Sequence, residues 1–129
     1  MNRQFLRFAL VGSIGFGIDV AVLYLLLGAG AGLIAGRAGS FLAAATGTWQ
    51  LNRRYTFTDR PGVAGLRATG RQWLRFVMAN AVGGAVNLGT YAALVTQVGL
   101  CAELPALAVA AGSVTGLAFN YTASRLWVF

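Results

Sequence analysis

Asp19 is the residue with most to explain, because it is a lone carboxylate inside an apolar run that extends from Phe8 to Leu27. An acid at that depth of a membrane helix is costly unless paired or wetted, so intramembrane acids mark functional sites by default. It lies twelve residues beyond Arg7, about 18 Å along a helix. The competing structural reading is a polar contact between helices, to Asn87 or to Arg37. Arg37 itself is read three ways: it snorkels to the outer headgroups, it receives a lipid-linked phosphate, or it pairs with Asp19. Asn87 and Asn120 are the other polar residues expected within apolar runs.

The second chemical group is a set of arginines at helix ends. Asn52, Arg53, Arg54 and Tyr55 stand together, and so do Ser124, Arg125 and Trp127, with Arg7 at the start of the first apolar run. Guanidinium groups grip phosphate oxygens bidentately. Each arginine taken alone fits simple anchoring; the cluster of Arg7, Asn52, Arg53, Arg54 and Arg125 fits a phosphate-binding role. Arg67, Arg71 and Arg75 recur every fourth residue beside Trp73 and Leu74. That spacing predicts a short basic helix lying at the membrane interface, a surface for anionic lipid heads or for a docked enzyme.

Other chemistry has few candidates. Histidine and lysine are absent, Cys101 is the single cysteine, and Asp19, Asp59 and Glu103 are the acids. No disulfide, metal site or cofactor is expected, and an enzyme is not expected. Gly12 to Gly17 imitates a nucleotide loop and Asn120-Tyr121-Thr122 a glycosylation sequon, but both fall within apolar spans. The net charge of +7 would suit nucleic acid. Membrane topology accounts for the arginines instead, so no nucleic acid is expected.

Positioning these residues requires membrane helices. Hydrophobic residues make up 57% of the chain and charged residues 10%, far below the roughly 25% of soluble domains. Four runs are long enough to cross a bilayer: helices at about 6–28, 33–53, 74–100 and 104–125, with a loop at 54–73. Residues 1–129 are expected to form one transmembrane domain. Residues 1 to about 32 imitate a secretory signal; Asp19 and the duplication below argue for retention. Nine of the ten arginines fall on one side of these spans, which makes that side cytoplasmic and places both termini there.

The chain also repeats itself. Arg7-Phe8, Gly15 and Asp19 match Arg75-Phe76, Gly83 and Asn87 at an offset of 68, and Asn52 to Phe57 match Ser124 to Phe129 at an offset of 72. Small-residue stripes allow close helix packing. They run through Ala9, Ser13, Gly17 and Ala21, through Ala81, Ala85 and Gly89, through Gly36, Ser40, Ala44, Thr48 and Asn52, and through Ala108, Gly112, Gly116, Asn120 and Ser124. The fold expected is an all-α membrane protein of four helices, in two pairs related by parallel duplication about the membrane normal.

Arg7-Phe8 with Gly12, Gly15 and Asp19, Asn52 to Phe57, and the Ser124 to Phe129 ending together resemble the GtrA-like family, over essentially the whole chain. Thr48 departs from the asparagine common there. The resemblance implies a role in cell-surface polysaccharide synthesis at the inner (cytoplasmic) membrane. It implies either flipping of a polyprenyl-phosphate-linked monosaccharide or anchoring of a glycosyltransferase. The partners expected are that sugar lipid, anionic membrane lipids, a glycosyltransferase in the adaptor reading, and a second copy in a homodimer.

Overall fold

The structure, a computed structural model, describes residues 2–129 and is helical throughout, with no strand among them. In chain order the α-helices are α1 (Arg3–Gly28), α2 (Leu33–Leu51), α3 (Leu66–Gln97), α4 (Gly99–Glu103) and α5 (Pro105–Ala123). Two π-helical turns continue α2 and α5 over Asn52–Thr56 and Ser124–Val128. By length and composition, Arg3–Gly28 and Pro105–Val128 are able to cross a membrane. At 1.5 Å per residue α1 is about 39 Å long, more than the roughly 30 Å of a hydrocarbon core.

The described chain divides into two compact units, one of residues 2–77 with Phe129 and one of residues 78–128. In the first unit, Asn2 caps α1 by accepting the Gln4 amide at 2.9 Å. The chain reverses at residues 29–32, where Gly30 adopts φ +94°, and α2 packs back along α1. Gly15 faces the Thr48 side chain so closely that a Cβ there would collide with it. Gly47 meets Ile18, Gly39 meets Leu26, and Gly36 meets Leu23 and Leu27. Small residues on one helix thus seat branched residues of the other, the packing that lets apolar helices adhere in lipid.

In the second unit the same device recurs. Gly83 of α3 faces the Asn120 side chain, while Gly112 and Gly116 of α5 face Asn87. Gly15 and Thr48 therefore reappear as Gly83 and Asn120, at the offsets of 68 and 72 that the sequence carries. Both π turns also fall at matching positions, Asn52–Thr56 against Ser124–Val128.

Three expectations need correction. The stripe from Gly36 to Asn52 is largely buried, as is that from Ala108 to Ser124, but Ser13, Gly17 and Ala21 of α1 are exposed, and so are Ala81, Ala85 and Gly89 of α3. The packed face of α1 carries Phe8, Val11 and Gly15 instead. A small residue every fourth position does not choose a face where large residues on another face can interlock. The basic segment, moreover, is no separate short helix: Arg67, Arg71 and Arg75 lie on the first turns of α3, which starts directly after Gly65 at φ +88°. Only glycine enters that conformation freely. Finally, the third helix begins at Leu66 instead of near residue 74 and ends at Gln97, after which Gly99–Glu103 forms a short helix with Cys101 buried.

Candidate functional site

Chain geometry brings Asp19 and Arg37 together. Counted from the turn at residues 29–32, Asp19 lies about five residues deeper than Arg37, a gap of roughly 7 Å along the helices. A long side chain covers that distance. Arg37 Nη1 donates to Asp19 Oδ1 at 2.9 Å, with the two side chains 57% and 22% exposed. One of the roles open to both residues, their mutual ion pair, is formed in the structure. Asn87, in the second unit, lies against Gly112.

The second unit differs at the matching place. Asn87 replaces the acid and Val109 stands where the arginine would be, so no ion pair can form. A cavity of about 340 Å³ opens there instead, lined by Gly84, Asn87, Leu88, Tyr91, Val109 and Ser113. Asn120, whose Oδ1 is buried without a hydrogen-bond partner, faces Gly83 in the same unit.

The arginine cluster is built on the first π turn. A π turn widens the helix by one residue per hydrogen-bonded ring and is frequent at functional sites. Here the Phe57 amide donates to the Asn52 carbonyl at 2.9 Å. Arg53 lies over the Trp49 ring, 4.9 Å from its centroid, and Arg54 over Tyr55 at 5.8 Å. Arg7 reaches from α1 to donate to the Tyr55 carbonyl at 3.3 Å. Asn52 is 1% exposed, and its Oδ1 accepts no hydrogen bond. Arg7, Asn52, Arg53 and Arg54 are thus gathered at one helix end.

Arg125 occupies the corresponding position in the second unit, where it donates to the Tyr121 hydroxyl at 3.3 Å. Arg53 and Arg125 match in position, each beside an aromatic residue one turn earlier, but Arg53 lies on the Trp49 ring and Arg125 bonds the Tyr121 hydroxyl. Ser124, the counterpart of Asn52, is fully buried and its Oγ is likewise unpartnered.

Two further residues escaped the sequence reading. Gln72 is buried and accepts from Trp49 Nε1 at 3.2 Å. Gln4 donates to the Thr56 carbonyl at 3.3 Å and to Asp59 Oδ1 at 2.7 Å. Both lie in one repeated hexapeptide, Arg3 to Phe8 and Arg71 to Phe76, whose copies differ only at Phe5 and Trp73. That repeat was the available signal. Below the turn, Phe8 meets Phe57 edge-on at 6.0 Å, Phe76 meets Phe129 at 6.0 Å, and Phe57 stacks on Phe129 at 4.7 Å. A small pocket beside this cluster is lined by Arg53, Phe57, Arg60, Pro61, Gly62, Gln72 and Phe129.

Among the described residues no cluster of histidine, cysteine or acidic side chains is arranged to hold a metal ion. Residues 7–129 match the GtrA/DPMS transmembrane domain. The chain belongs to the GtrA/DPMS transmembrane-domain family. That match covers both units of this GtrA/DPMS domain and both π turns. Together with the two long apolar helices it makes the chain a membrane protein. A search of curated proteins found no match to the domain.

Proposed function

We propose that this GtrA/DPMS domain flips a polyprenyl-phosphate-linked monosaccharide across the inner membrane for cell-surface polysaccharide synthesis. The observation that carries the reading is the recurrence of an arginine-bearing π turn in each unit of a transmembrane domain of this family. Each turn offers its own phosphate contact: Arg53 and Arg54, with Arg7 and Asn52, in the first unit, and Arg125 in the second. Guanidinium groups held beside aromatic residues at a helix end suit a phosphate that stays at headgroup level while its prenyl chain remains in lipid. Asp19 with Arg37 in one unit, and Asn87 and Asn120 in the other, supply polar contacts for the sugar within hydrocarbon. No catalytic step is assigned. A homodimer is the proposed working unit, because a chain of this length encloses little volume by itself.

In this reading α1, α2, the apolar part of α3 from Phe76 onward, and α5 all cross the bilayer, with both termini cytoplasmic. The arginine distribution supports it. In a Cys101→Ser background, an Ala31→Cys variant in intact cells is expected to react with a membrane-impermeant thiol reagent. A Thr58→Cys variant is expected to react only after permeabilisation. The reverse pattern would invert the topology.

One observation favours a second reading, an adaptor for a glycosyltransferase. Arg67 and Arg71 are exposed on the first turns of α3, before its apolar part begins. Purified protein in vesicles free of any enzyme separates the two functions: a flippase accelerates exchange of the sugar lipid between leaflets, and an adaptor does not. Neutralising Arg67 and Arg71 together should leave that exchange within about twofold of wild type if flipping is the function.

A further inference from the structure

We infer that the pocket beneath the first π turn is a binding site for one oxyanion, a phosphoryl group. Its polar side chains are Arg53, Arg60 and Gln72. A guanidinium carries five N–H donors and no acceptor. Gln72 has both kinds of group, and its Oε1 already accepts from Trp49 Nε1 at 3.2 Å, so donors predominate among the pocket's polar side chains. That chemistry rejects a metal ion and suits an anion.

Charge points the same way. Arg53 and Arg60 line one small space, and the one acid paired with either of them among the described residues sits at the edge of ion-pair distance. Asp59 Oδ2 is 4.0 Å from Arg60 Nε, which is buried without a hydrogen-bond partner. The other carboxylate oxygen of Asp59 accepts from Gln4 at 2.7 Å. Two arginines lining one pocket, one of them with an unfilled buried donor, suit a counter-anion, and charge-assisted hydrogen bonds to it are the strong ones. Size limits the ligand. The recess measures about 40 Å³, and one water needs roughly 10–15 Å³, so it holds a group of phosphoryl size, with its open side left for whatever that group is attached to. The stacked rings of Phe57 and Phe129 wall it on the apolar side.

The assignment rests on the pocket's own lining. Where the phosphoryl group is that of the flipped lipid, it also rests on the proposed function, and it moves the decisive contacts to Arg60 and Gln72. Trp49 is a built-in reporter, because it touches both Arg53 and Gln72. The full chain with Trp73→Phe and Trp127→Phe would be placed in phosphatidylcholine nanodiscs, leaving Trp49 as the sole tryptophan. Its emission would be titrated with inorganic phosphate in one arm and with nanodiscs carrying a polyprenyl phosphate in the other. A saturable change is expected in at least one arm: the first identifies a free-phosphate site, the second a headgroup site.

Arg60→Gln should raise the half-saturation point about tenfold, the loss expected for one charge-assisted hydrogen bond. Gln72→Glu keeps the acceptor for Trp49 and should abolish the change by repulsion. Arg3→Gln, which removes an exposed charge of the same unit, should shift it less than about twofold. No saturable change in either arm would overturn the assignment. So would Arg3→Gln weakening binding as much as Arg60→Gln, since that result describes diffuse surface charge. Leaflet exchange measured on the same proteins separates the two proposals. Binding without exchange retires the flippase and keeps the pocket. Exchange untouched by Gln72→Glu retires the pocket as a step in flipping.

Discussion

Asp19→Asn is expected to slow leaflet exchange by at least about tenfold and to lower the thermal stability of the protein. The substitution removes the carboxylate 2.9 Å from Arg37 and leaves the guanidinium without its partner. In water the pair would count for little, because exposed ion pairs contribute about 0–1 kcal/mol. Within hydrocarbon an unpaired arginine costs up to about 2.5–3.5 kcal/mol, the helix-centre value, and less near a helix end, where Arg37 lies; about 1.4 kcal/mol already corresponds to a factor of ten. The environment decides which value applies, so the experiment also tests whether α1 and α2 lie in the bilayer. Arg37→Gln should destabilise for the mirror-image reason. The double variant, with neither charge, should regain most of the lost stability. A double-mutant cycle read by thermal unfolding in lipid should give a coupling of about 1–3 kcal/mol. Additive effects would show that the pair does not act as a unit.

Gly112→Ala is the second large effect, and its sign is the informative part. In an open helix position alanine is better than glycine by about 0.8–1.0 kcal/mol. At Gly112 a Cβ would stand 2.5 Å from Asn87 Oδ1 and 2.6 Å from the Asn87 backbone oxygen. The amide can rotate away, but the backbone of α3 cannot without moving the helix. Overpacking of that kind costs about 1–3 kcal/mol, so Gly112→Ala should destabilise. Gly84→Ala, with nothing within 4 Å of its Cβ position, should be neutral or stabilising. Unfolding temperatures of the two variants in the same lipid or detergent check the contrast. A stable Gly112→Ala would mean that α3 and α5 do not approach each other as described.

The duplication made much of this legible in the sequence, because it was written in residue types that packing requires. Gly15 and Gly83 had to lack a side chain for Thr48 and Asn120 to sit where they do. Asn52 and Ser124 marked the ends where the backbone widens. The widening itself is a change in hydrogen-bond register, from four residues to five, and no side chain announces it. The start of α3 was displaced for a different reason. Apolar character begins near Phe76, whereas the helix begins after Gly65, where a positive φ breaks the chain. Hydropathy reports the solvent of a segment and not its backbone.

Gln4 and Gln72 went unread because a polar residue before an apolar run looks like one facing water. Each instead bridges to a neighbouring element, Gln4 to Thr56 and Asp59 and Gln72 to Trp49. In the sequence Arg60 shows only a charge, which says nothing about which pocket it lines. Asp19 and Arg37 were both noticed, but choosing their mutual contact over the alternatives needed the length and course of the turn between α1 and α2.

Flipping is tested most directly by the purified protein alone, in proteoliposomes carrying a labelled polyprenyl-phosphate sugar. The rate at which inner-leaflet label becomes reachable from outside would be compared for wild type, Asp19→Asn and empty vesicles. Exchange well above the empty-vesicle rate for wild type, and slowed about tenfold or more by Asp19→Asn, is the predicted result. Wild-type exchange no faster than that of empty vesicles, across a panel of sugars, would contradict flipping and leave the adaptor reading.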